Sequence, residues 1–164
     1  MTPMDSDWEL RGDRIVLRPV MADDTPTLHR IVREPEVAAW WGTPEGFDDM
    51  LAVVLDGEVI GSVQYEEEDD PDYRHAGIDL FLSARHHGRG LGAETVRTLA
   101  RWLIDARGHH RLTIDPAAAN TTAVRSYTRV GFRPVGVLRA YERDPLTGDW
   151  RDGLLMDLLA DELA

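Results

Sequence analysis

The chain has 164 residues, 43% of them hydrophobic and 29% charged, with a formal net charge of −12 and no cysteine. That length suits one domain with a proper core, spanning residues 1–164. The charge excludes nucleic acid and anionic membrane surfaces as partners, because both need a basic face, and it is compatible with a cationic substrate. Without cysteine there is no disulfide, no Cys-ligated zinc and no cysteine nucleophile. No run of about 18 apolar residues exists to span a membrane. The N-terminus carries Asp5, Asp7 and Glu9 and no apolar core, unlike a secretory leader, so a cytoplasmic location is expected.

In chain order, residues 14–19 predict a strand, with β-forming Ile15, Val16 and Leu17 stopped by Pro19. Asp23 and Asp24 are N-cap candidates for a helix toward Arg33, with Leu28, Ile31 and Val32 on one face. Residues 36–41 read as another helical turn and 43–49 as loop. Residues 50–55 and 58–66 flank Asp56-Gly57, the dipeptide a type I′ hairpin turn prefers. Residues 66–72 read as an acidic loop and 75–82 as a strand. A helix is expected to run to Ala106, then a strand over 111–114. Asn120 or Thr121 caps a helix that ends at Gly131. Residues 132–143 and 150–159 read as two final strands. The order β-α-(α)-β-β-β-α-β-α-β-β makes an α/β chain: a mixed sheet with helices on its faces.

The most informative stretch is His87-Gly88-Arg89-Gly90-Leu91-Gly92-Ala93. A strand, a Gly-rich turn and a helix N-terminus in that order make an anion site of backbone N–H groups and a positive dipole end. The spacing matches neither the dinucleotide fingerprint nor the P-loop, and it suits the pyrophosphate of coenzyme A. No metal is expected, since His86-His87 and His109-His110 have no i, i+4 partners.

With the Gly-rich turn, the helix from Asn120 to Val130 and Gly131-Phe132 in view, the chain resembles the GNAT superfamily of N-acetyltransferases from about Leu10 to Leu159. Within it, the chain is most similar to bacterial aminoglycoside 6'-N-acetyltransferases. Trp40-Trp41-Gly42, Glu66-Glu67-Glu68 through Asp79, the Gly-rich turn, and Asp115-Pro116 through Asn120, Tyr127 and Phe132 carry that narrower likeness. It departs at His87, where the superfamily usually has Gln or Arg, and in the span between Trp41 and Met50, where those enzymes have a longer helical insert.

The resemblance implies a central, mostly antiparallel sheet of six to seven strands, splayed beside the cofactor strand. It implies acetyl-CoA as co-substrate and a small cationic amine as acceptor, in a monomer or homodimer. Asp79 then matches the catalytic base and Tyr127 the donor to the leaving thiolate. Phe81, Leu82, residues His87 to Ala93, Asn120, Ala123 and Tyr127 would hold the cofactor. Trp40, Trp41, Glu67, Asp79, Asp115 and Asp152 would face the acceptor. The residues themselves fit this chemistry: Asp79 interrupts an apolar strand, and a phenol stays protonated at neutral pH. Other acceptors compatible with the motifs are a siderophore hydroxylysine, a polyamine or a protein N-terminus. A non-catalytic acyl-CoA-binding domain is the alternative of a different class.

Overall fold

The computed structural model describes residues 8–164; the stretch holding Asp5 and Asp7 lies outside the described residues. The strands are β1 (Leu10–Arg11), β2 (Ile15–Pro19), β3 (Leu51–Leu55), β4 (Glu58–Glu68), β5 (His75–Leu82), β6 (Arg111–Ile114), β7 (Arg133–Arg143) and β8 (Trp150–Leu159). The helices are α1 (Thr25–Val32), α2 (Pro35–Ala38), α3 (Leu91–Asp105) and α4 (Thr121–Val130). All eight strands join one mixed sheet in the order β1-β2-β3-β4-β5-β6-β8-β7, and only β5 and β6 run parallel. The sheet has one strand more than expected. The addition is β1, two residues paired with Leu17 and Val16, too short to show periodicity.

Local chemistry explains the connections. Asp56 and Gly57 both take positive φ, 50° and 81°, as the turn between β3 and β4 requires. β4 runs to Glu68, so Glu66 to Glu68 are strand and not loop; they pair with Gly77, Ala76 and His75 of β5. α3 begins at Leu91, capped by Gly90 in the left-handed conformation. Asn120 caps α4 by accepting from Ala123 N–H at 3.3 Å, and Gly131 ends it with φ 120°.

One face of the sheet is covered by α3 and α4, whose Val96, Leu99, Leu103 and Val130 join Ile15, Leu17, Val63, Ile78, Leu80 and Leu112 in the larger core. Each such side chain contributes about 1.5–3 kcal/mol on burial. The other face carries a smaller core, in which Leu28, Ile31 and Val32 of α1 and Val37 of α2 meet Phe47 and Phe81.

The feature that positions the site is a splay. β5 and β6 pair only at Ala76–Leu112 and Gly77–Thr113. β6 ends at Ile114, and the chain beyond turns toward β8, where Leu154 N–H donates to Pro116 C=O and Ala118 N–H to Asp152 C=O. β5 continues to Leu82 paired with β4 but not with β6. Ser83 N–H donates to Ile60 C=O, which continues the β4–β5 register. The antiparallel alternation then points the backbone groups of Asp79 and Phe81 at β4, and those of Ile78, Leu80 and Leu82 into the gap.

Candidate active site

The Gly-rich turn leaves β5 and enters α3. Gly88 and Gly90 hold φ near 76° and 75°, and a Cβ at Gly88 would meet nothing within 4 Å. Glycine is needed there for backbone conformation and not for space. The α3 ladder starts with Glu94 N–H on Gly90 C=O, which leaves the N–H groups of Leu91, Gly92 and Ala93 free for an anion. A buried anchor holds the turn. The Glu94 carboxylate accepts from Arg14 N–H at 2.7 Å and Ile15 N–H at 2.8 Å, and pairs with Arg14 Nε at 2.8 Å. Arg14 Nη1 also donates to Arg89 C=O at 3.0 Å. Burial alone would raise the Glu94 pKa, but the hydrogen bonds from Arg14 and Ile15 hold it below the usual carboxylate range. Sequence reasoning missed this pair; its signal was an acidic residue in the first turn of α3.

His86 is buried, and its pKa is lowered by burial and by Arg85 and Arg89. As a neutral ring it accepts from Arg89 Nη1 at 3.0 Å. His87 turns back to the strand, where its Nε2–H donates to Leu82 C=O at 2.8 Å.

The open edge of β5 carries two further caps. Leu80 C=O accepts from Trp41 Nε1 at 2.9 Å, and Leu80 N–H donates to Asp79 Oδ1 at 3.0 Å. The Trp41 ring stands edge-on to Phe81, centroids 4.9 Å apart. These backbone groups are what an extended ligand amide would use to pair as an added strand.

Around the gap stands a group of acids and phenols. Asp79 is pushed up to about 7, first by desolvation and then by the charges of Asp115, Glu142 and Glu66, against the lowering hydrogen bond from Leu80 N–H. Asp79 remains exposed toward the open cleft. Tyr127 is buried, 8% exposed, and none of the described residues hydrogen-bonds its hydroxyl. Burial and the charges of Asp79 and Asp115 raise its pKa, so the phenol stays protonated. Tyr141 donates to Asp115 Oδ2 at 2.6 Å, and that hydrogen bond, with burial, pushes its pKa up to about 12. Glu142 pairs with Arg151 at 3.3 Å; Arg151 also donates to Ala39 and Trp40 C=O and stacks over Trp40, tying β8 to the end of α2.

The structure thus brings together Asp79, Tyr127, Asp115, Leu82, the Gly-rich turn and Trp41. Two expected residues lie elsewhere. Glu67 points to the α3 face, where it pairs with Arg107 Nη2 at 2.8 Å and His109 Nε2 at 2.6 Å; Glu66, one residue earlier, faces Asp79's side. Phe81 keeps its ring in the smaller core and its backbone on β4, so the backbone groups that face the gap are those of Leu80 and Leu82. Asp152 uses Oδ1 to accept from Ala140 N–H at 2.8 Å. Trp40 is engaged by Arg151. Asn120 and Ala123 form the α4 cap, which leaves the Asn120 amide N–H groups free. Tyr141, Glu142 and Arg151 were missed. No metal-binding group of three or more His, Asp or Glu occurs among the described residues.

A splayed mixed sheet with a glycine turn at the end of β5 frames the candidate site. A model of the acetyltransferase (GNAT) family matches residues 16–132, and the chain belongs to that family. It is 28% identical over 158 residues to an aminoglycoside N(6')-acetyltransferase type 1 of Klebsiella pneumoniae, covering 77% of this chain and 78% of that protein. The fold is shared with Mycobacterium smegmatis RimJ in complex with CoA-disulfide, at TM-score 0.81 and 22% identity over 95% of this chain and 88% of that one. It is shared too with AAC(6')-Ib in complex with ribostamycin and coenzyme A, at TM-score 0.74 and 22% identity over 92% and 96%.

Proposed function

We propose that the chain moves the acetyl group of acetyl-CoA directly to a primary amine of a small cationic acceptor, the 6'-amine of an aminoglycoside first. One observation carries the reading: Asp79, with its raised pKa, lies on β5 at the β5–β6 gap, within electrostatic reach of Asp115, Glu142 and Glu66 and of the buried Tyr127. The residues fit the co-substrate. Free N–H groups at the start of α3 suit a pyrophosphate, and the edge at Leu80 and Leu82, which side chains and no strand cap, suits an amide-bearing arm.

The bound thioester would supply an activated acyl carbon and a thiolate leaving group. The surrounding carboxylates bind the acceptor ammonium and raise its local concentration. Asp79, ionised, takes the proton that leaves nitrogen as it attacks, directly or through water. Leu80 N–H, which faces the gap, donates to the carbonyl oxygen when Asp79 Oδ1 lets it go. Tyr127 donates its phenolic proton toward sulfur. No cysteine exists to carry the acyl group, which favours direct transfer.

The aminoglycoside acceptor is supported by the acidic surround and by the Klebsiella relative's name. Between Trp41 and Met50 the chain has no helix walling the acceptor side, and that openness favours a larger amine, such as a protein N-terminus, as second reading. The test is CoA-thiol release against kanamycin, tobramycin, a 6'-hydroxyl aminoglycoside, spermidine, N6-hydroxylysine and short peptides. Turnover confined to 6'-amino compounds supports the reading. Turnover on another amine moves the acceptor, and CoA binding without any turnover favours a non-catalytic acyl-CoA binder.

A further inference from the structure

β7 does not pair evenly with β8. Leu138 faces Gly153 and Glu142 faces Arg151, so Arg139, Ala140 and Tyr141 stand opposite Asp152 alone. Ala140 takes φ 48°, a left-handed conformation disfavoured for any residue with a Cβ. Asp152 Oδ1 holds it there through Ala140 N–H. The Tyr141 ring then lies across Gly153, where a Cβ would come within 2.8 Å of Cδ2. A bulge, a strained alanine, an acid that pins it and a glycine that makes room all deliver one phenol to Asp115. Packing alone does not explain the ring, which is 47% exposed.

We propose that Tyr141 is a positioning residue of the acceptor site: its hydroxyl fixes Asp115 through Oδ2, leaving Oδ1, which has no hydrogen bond among the described residues, to receive the acceptor's ammonium. Asp152 then acts one step further back, by holding the bulge, and not by touching the acceptor. The inference rests on the cationic-amine reading above. It adds that recognition depends on a phenol–carboxylate pair and not on negative charge alone.

A double-mutant cycle tests it. The amine that wild type turns over is assayed with wild type, Tyr141→Phe, Asp115→Asn and the double variant. Phe keeps the ring over Gly153 and removes only the hydroxyl. Tyr141→Phe is expected to raise KM for the amine about five- to tenfold, as expected for a partly exposed hydrogen bond to a charged group. KM for acetyl-CoA and Tm should stay unchanged, and the Phe change should do nothing further in the Asp115→Asn background. An unchanged amine KM, an equal rise in both KM values, or effects that multiply would each overturn the proposal. If wild type turns over no amine, the acceptor reading fails by itself. The pair is then read by ultraviolet titration of the tyrosines after a rapid pH jump. A phenol transition near 12 that drops toward about 10 in Asp115→Asn sustains the Tyr141–Asp115 link, and an unmoved transition overturns it.

Discussion

The raised pKa of Asp79 makes a quantitative demand on the pH profile. With a pKa of about 7, the group is ionised in about one tenth of molecules at pH 6 and about nine tenths at pH 8. If Asp79 is the base, its share of kcat/KM rises about tenfold over that interval. A carboxylate at its ordinary value of about 3.9 would contribute no change there. The acceptor's own ionisation also affects the profile but is common to every variant, so variants are compared with one another. Asp79→Asn should abolish the Asp79 limb along with most of the rate. Asp115→Asn removes the largest charge contribution to the shift, and the limb should move to lower pH. A displacement of about one unit would correspond to about 1.4 kcal/mol of differential interaction. The assay is initial-rate CoA-thiol release in constant-ionic-strength buffers from pH 5.5 to 9. A limb that persists in Asp79→Asn, or one that stays in place in Asp115→Asn, would refute the assignment of base and of its neighbour.

Other perturbations bear on other parts of the site. Tyr127→Phe should lower kcat about hundredfold or more while CoA affinity, measured by calorimetry, is retained; loss of CoA binding instead would make Tyr127 a packing residue. Gly90→Ala places a Cβ at φ 75°, which costs about 1–2 kcal/mol of stability by denaturant melt, and CoA affinity should fall because the turn must distort. Acetyl-CoA should perturb the intrinsic fluorescence by displacing Trp41 Nε1 from Leu80 C=O, and Trp41→Phe should remove that signal; an undiminished change would place it at another tryptophan. Asp79 binds protons more tightly folded than unfolded, so its contribution to stability falls as pH rises from about 4 to about 7. Asp79→Asn should therefore raise Tm relative to wild type at pH 8, and the gain should vanish near pH 4.

What was legible in the chain was what short-range chemistry decides. Asp56-Gly57 dictates its own turn, Gly131 ends α4 because left-handed backbone is cheap only for glycine, and Asn120 caps α4 with a side chain three residues from its partner. Glu67 illustrates the next level. Val63, Tyr65 and Glu67 share one face of β4 by strand alternation, and Val63 is fully buried, so the phase places Glu67 beneath the sheet and Glu66 above it. Treating residues 66–72 as a loop discarded that phase. The phase of the edge at Phe81 was hidden for a different reason: which backbone groups face the gap depends on the long-range bond from Ser83 to Ile60, and no local pattern reports it. The bulge at Ala140 was hidden because an alanine, not a glycine or asparagine, takes the positive φ.

β5 shows why Asp79 was nonetheless readable. Ile78, Leu80 and Leu82 send side chains into the larger core, which fixes the strand's phase. Asp79 and Phe81 must then project to the opposite face, one toward the acids and the other into the smaller core. The same alternation turns the Leu80 and Leu82 backbone groups into the gap. A slip of one residue would bury Asp79 under α3 and turn the Leu80 N–H back toward β4. Carboxylate, edge donor and glycine turn therefore stand in register because three apolar side chains hold the strand, and an aspartate that breaks such a run is placed by the core it avoids.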